Sequence, residues 1–249
     1  MVEQKRRVPL FWKIAIPVVV VLGGLAFAGW WFILRDDAPP EARLPDRPVA
    51  TTAAGASDGA TTASGSAGGS TSADGTWTVQ QGEEVFVGYR VTEQFAGETI
   101  EKTAVGRTPA VTGTVAVQGA AVPAAKFEAD MTKLASDSSR RDNQIRGNGL
   151  QTNQFPAASF ELTQPIQLTS PPAAGAELDV QAVGNLTLHG VTKEVMIPLK
   201  VRWSGDVIDI AGQAPIVLAD YGIDPPSIGG FVSVDDKGVF EVQLTLVRG

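Results

Sequence analysis

The chain contains no cysteine and one histidine, and aromatic residues make up only 7% of its 249 positions. Without cysteine there is no disulfide framework, thiolate metal site, cysteine nucleophile or lipidated N-terminal cysteine. His189 stands alone, whereas a metal site needs two or three further ligands and triad catalysis an oriented nucleophile and base. The scattered carboxylates Asp220, Asp224, Asp235 and Asp236 do not fit an EF-hand spacing. Gly55-Ala56-Ser57-Asp58-Gly59 matches the G-x-S-x-G pattern. No strand precedes it and no helix follows, so the strained turn that makes such a serine reactive is missing. The reading is of a protein that is not an enzyme, with no catalytic residues, no metal and no cofactor in the ordinary sense.

Charge is unevenly spread. Residues 1–35 hold five basic groups and one acid, so the remainder holds 15 basic and 26 acidic of the total 20 and 27. An acidic body argues against nucleic acid, whose binding rests on lysine and arginine neutralising phosphates.

Residues 14–34 carry no charge. At about 1.5 Å rise per residue a helix of that length spans roughly 30 Å, the thickness of a bilayer's hydrocarbon core. Lys5, Arg6, Arg7 and Lys13 precede it, which places residues 1–13 in the cytoplasm and the bulk of the chain outside the cell membrane. The apolar run exceeds the core of a cleaved signal peptide, and Trp30-Trp31-Phe32-Ile33-Leu34 ends it without a small-x-small site. A single-pass, uncleaved anchor is expected. Residues 35–75 then turn rich in proline, alanine, glycine, serine and threonine, a composition that cannot bury enough apolar surface to offset its ordering entropy. They read as a disordered tether.

From Thr76 to Gly249 period-two alternation dominates. Val85, Val87, Tyr89 and Val91 alternate with Phe86, Gly88, Arg90 and Thr92; Phe127, Ala129 and Met131, then Phe160 and Leu162, and later Phe240, Val242, Leu244 and Leu246 do likewise. Turn residues at Asp236-Lys237-Gly238, Ser204-Gly205-Asp206, Pro171-Pro172 and Gly190 separate the runs. Only residues 137–146 suggest a helix, with capping residues at the start and Gly147 at the stop. The domain is all-β, a barrel or a sandwich; periodicity does not choose between them.

Three blocks carry a resemblance. Val87-Gly88-Tyr89-Arg90-Val91 is similar to the first long strand of the YceI-like family. Arg141-Asp142-Asn143-Gln144-Ile145-Arg146, with Leu150 and then Phe155-Pro156-Ala157-Ala158-Ser159-Phe160, resembles its helix and following strand. Residues 184–199, with His189-Gly190 in a tight turn, resemble a family hairpin. The blocks occur in family order across residues 76–249. The resemblance implies an eight-stranded antiparallel, lipocalin-like barrel with one short helix, holding a polyisoprenoid such as a polyprenyl quinone or carrier lipid in an apolar tunnel. Two family histidines are absent: Thr92-Glu93 stands after the first strand, and Gln144 stands in the helix.

On this reading Val85, Val87, Tyr89, Phe127, Met131, Phe160, Phe240 and Val242 are the candidate tunnel lining. Tyr89 is the best placed to touch a head group, and Arg141 and Arg146 are candidates for the mouth. His189 reads as a hydrogen-bonded turn residue that fixes its hairpin. The expected function is a membrane-anchored, extracytoplasmic lipid-binding barrel. The alternative is an interaction module whose barrel is filled by its own side chains.

Overall fold

A computed structural model of the chain describes residues 38–47, 72–95, 101–225, 227–228 and 232–249, all within one compact unit, Ala38–Gly249. The expected anchor at 14–34 and most of the expected tether lie outside the described residues. Among those described, no helix is long and apolar enough to cross a membrane.

The strands in chain order are β1 (Gly75–Val79), β2 (Phe86–Phe95), β3 (Glu101–Thr108), β4 (Val111–Gln118), β5 (Ala121–Asp130), β6 (Ala135–Ser136), β7 (Ala157–Leu162), β8 (Ile166–Gln167), β9 (Glu177–Leu188), β10 (Val191–Ser204), β11 (Val207–Val217), β12 (Ser227–Ile228) and β13 (Val232–Arg248). They make fewer staves than strands. β1 and β2 lie end to end along one edge of β13, and β4 and β3 lie end to end along the far edges of β1 and β2. Each pair is one stave with a break: residues 80–85 in the first, Pro109-Ala110 in the second. With β5, β7, β9, β10, β11 and β13 they close a purely antiparallel barrel of eight staves. This is the expected fold, reached through breaks that the alternation does not show.

The hairpin of β9 and β10 runs in unbroken register from Val191↔Leu188 to Arg202↔Glu177. Its two-residue loop holds His189 at φ 51° and Gly190 at φ 73°, the left-handed pair that matches strand twist in a tight hairpin. His189 Nδ1 donates to the Tyr221 carbonyl at 3.0 Å, and its ring meets Phe155 edge-on at 4.3 Å. The single helix, α1 (Ser139–Gly147), starts at Ser138, whose hydroxyl accepts from Arg141 N at 3.4 Å. It sits in the 131–156 connection, beside β6, which pairs with β3 at Gly106 and Arg107.

Two readings differ from the structure. Asp236-Lys237-Gly238 is not a turn: β13 runs through it, with a register shift between Val234 and Gly238. Asp235 Oδ1 accepts from Lys237 N at 3.2 Å and Asp236 Oδ1 from Ala219 N at 3.2 Å, so turn-type residues shape a bulge within a strand.

The second correction concerns the tether. Residues 38–47 form a strap on the outer barrel wall, with Leu44 buried. Arg90, Arg107 and Arg202 donate to the carbonyls of Pro39, Pro40 and Pro45. Arg43 N donates to Gln243 Oε1 at 3.0 Å, and Arg47 Nε meets Asp209 at 3.0 Å. Beneath the strap Glu241 and Asp209 are both 0% exposed. Glu241 pairs with Arg90 at 2.9 Å and Arg107 at 2.6 Å. Composition read this stretch as unable to fold, but beside buried Leu44 it is held by its own main-chain groups and the Arg47 side chain.

Candidate functional site

Inward side chains of the alternating strands do not fill the barrel. Three chambers lie in a row, with cavity volumes of about 90, 60 and 90 Å³. Each exceeds the roughly 10–15 Å³ that one water requires, whereas close-packed cores keep few voids of that size. The chamber beneath α1 and the middle one share Val87, Ala158, Leu186 and Phe240 as wall. The middle and far chambers share Phe127, Phe160, Ala182, Leu199 and Ile210. A narrow, segmented, apolar row suits a thin flexible chain better than a compact ligand.

Of the candidate lining residues, Val87, Tyr89, Phe127, Met131, Phe160, Phe240 and Val242 line these chambers. Val85 is 1% exposed but packs in the core outside their walls, because the first stave has only just resumed at Phe86 after its break. Arg141 reaches the helix-end chamber; Arg146 does not, and its Nη1 donates to Asn143 Oδ1 at 3.2 Å on the exposed side of α1.

Polar chemistry gathers at the helix end. Glu93, which is buried, accepts from Arg141 through a fork: Nε to Oε1 at 2.8 Å and Nη2 to Oε2 at 2.8 Å. Arg141 Nη1 also reaches Asp137. The hydrogen bonds to Glu93 raise the Arg141 guanidinium further above its already high range, so Arg141 carries its charge at any physiological pH. The Tyr89 hydroxyl is buried in the same chamber without a protein partner. Burial pushes its pKa well above the usual tyrosine value of 10.0, so the phenol is neutral there and can donate or accept. Glu93 was the site residue missed by sequence reasoning. The signal that could have found it is the alternation itself, since Glu93 follows Val87, Tyr89 and Val91 on the inward face.

Tyr89 is held by what it covers. A Cβ at Gly106 would lie 2.4 Å from the Tyr89 ring, and one at Gly88 would lie 2.3 Å from the Gly106 carbonyl. Gly106→Ala is therefore expected to cost about 1–3 kcal/mol through overpacking, measured by urea denaturation. An unchanged midpoint would mean that the ring does not rest on β3.

A family model for the YceI-like domain matches residues 77–246. A UPF0312 protein of Vibrio parahaemolyticus is 32% identical over 113 residues, 43% of this chain and 55% of that protein. One of Pseudomonas aeruginosa is 32% identical over 105 residues, 39% and 51% respectively. The chain thus matches about half the length of these curated relatives. Among solved structures, a polyisoprenoid binding domain from Saccharophagus degradans superposes with a TM-score of 0.55 at 15% identity, covering 70% of this chain and 98% of that one. That likeness establishes the shared fold. With the family model covering nearly the whole barrel, from Trp77 in the first stave to Leu246 in the last, the chain belongs to the YceI-like domain family.

Proposed function

We propose that this protein holds an isoprenoid or similar amphiphilic lipid, such as a polyprenyl quinone or carrier lipid, along the axis of its barrel. The observation that carries the reading is the row of apolar chambers, into whose helix end the Glu93–Arg141 ion pair is set. Apolar burial supplies roughly 0.8 kcal/mol per CH₂, so a chain of several isoprene units needs no other source of affinity. The name of the Saccharophagus degradans domain points to the same ligand class. The proposal includes a single-pass anchor at residues 14–34 with the barrel outside the cytoplasm, which rests on the uncharged run and its basic flank.

Native mass spectrometry of the full chain, purified in mild detergent from its own host and followed by organic extraction, tests the binding. The expected result is a stoichiometric adduct whose extract shows masses spaced by isoprene units. A clean apo mass, with no uptake of added polyprenyl lipids, would favour the interaction module instead.

A further inference from the structure

The barrel ladder is parted along one seam. β9 pairs with β10 over its whole length, but with β7 only through residues 184–187. After Thr163 N donates to the Val183 carbonyl at 3.0 Å, the chain leaves β9: β8 pairs with β5 at Ala121 and Val122, and Leu168 N donates to the Ala120 carbonyl at 2.8 Å. On that edge, residues 177–182 have no ladder partner among the described residues. At about 3.4 Å per residue, the parted stretch is roughly 20 Å long.

Across the gap a polar rim surrounds four apolar side chains. A surface groove of about 410 Å³ runs between residues 164–170 and 178–183. Ile166, Leu168, Leu178 and Val180 line that groove and also line the far chamber inside the barrel. All four are half-buried, while Gln167 and Asp179 between them face solvent. Side-chain contacts alone separate the inside from the outside here, so opening breaks no main-chain hydrogen bond. At the helix end, by contrast, entry would disturb a doubly hydrogen-bonded ion pair.

We propose that the β8–β9 seam is the port through which an apolar chain enters and leaves the barrel, an inference that rests on the lipid-binding reading above. A hydrocarbon tail passing the polar rim of the groove meets Ile166, Leu168, Leu178 and Val180 and then enters the far chamber, beside Trp203.

The absence of cysteine makes the test clean. Gln167→Cys with Gln181→Cys places two thiols on exposed positions flanking the seam, to be joined by a short bismaleimide in the full chain. The probe is a ubiquinone with two isoprene units, followed by stopped-flow quenching of tryptophan fluorescence. Closing a port slows both directions, so association and dissociation should each fall by about tenfold or more while Kd stays within about twofold. The same variant without linker should bind as the parent does. A second pair, Lys126→Cys with Glu161→Cys, exposed and facing each other across β5 and β7 away from the seam, joined likewise, should leave the rates unchanged. Unchanged rates with the seam joined, or equal slowing with the second pair joined, would overturn the port. No quenching with the unmodified chain would overturn the lipid-binding reading, and the port with it.

Discussion

Ala182→Phe is expected to level the rise of affinity with ligand length, bringing long prenyl lipids down to the affinity of short ones while sparing the short ones. Ala182 is 2% exposed and stands in the wall shared by the middle and far chambers. A phenyl ring at that point divides the row, and a long chain can then bury itself on one side only. Each isoprene unit left outside forfeits five carbons, or about 4 kcal/mol at roughly 0.8 kcal/mol per buried group. That corresponds to about a thousandfold in Kd per unit excluded. The overpacking itself costs about 1–3 kcal/mol, a loss read separately from the denaturation midpoint. A titration series of prenyl alcohols with one to eight units checks the claim. Equal weakening across the series would show that the chambers are not occupied end to end.

The second large effect concerns stability rather than binding. Glu241→Ala should destabilise the barrel by about 3–5 kcal/mol, because it leaves two guanidiniums without the carboxylate that neutralises them. The side chains of Arg90 and Arg107 are 11% and 22% exposed, so solvent recovers part of the loss and the lower end of that range is expected. For a domain of this size, about 3 kcal/mol lowers Tm by roughly 6–12 °C. Glu241→Gln keeps the shape and an accepting oxygen, and should fall between the parent and the alanine variant. If both variants melt with the parent, the network under the strap contributes nothing to folding. The strap should loosen with it, since Arg90 and Arg107 donate to Pro39 and Pro40 with the same guanidiniums that Glu241 positions.

Much of this was legible in the residues, and the reasons for the rest are physical. The hairpin at residues 184–199 could be read because its strands alternate without a break and its turn is local. The helix could be read because Ser138 and Gly147 mark its ends. Both signals are short-range. The number of staves came from the resemblance, because two staves are interrupted: at residues 80–85 the chain leaves the sheet and rejoins it. The bulge at residues 235–237 reads as a turn because the same acids that shape a turn can shape a bulge. The Glu93–Arg141 pair joins residues 48 positions apart, and nothing in either neighbourhood announces the other. For the strap the separation is larger still: Arg43 meets a partner 200 positions away. Compositional reasoning weighs apolar content, and the strap is held by carbonyls and charge instead.

That strap changes where the domain begins. Alternation alone sets the start at Thr76, and the family match starts at Trp77. A chain trimmed to either point would lose the Ala73 carbonyl that accepts from Trp77 Nε1 at 2.8 Å, and with Arg47 the closer of the two cations facing buried Asp209. Residues 38–47 belong to the same compact unit as the staves. Shortened versions that respect only the alternating region would expose to water the charged network of Glu241, Asp209, Arg90, Arg107 and Arg202.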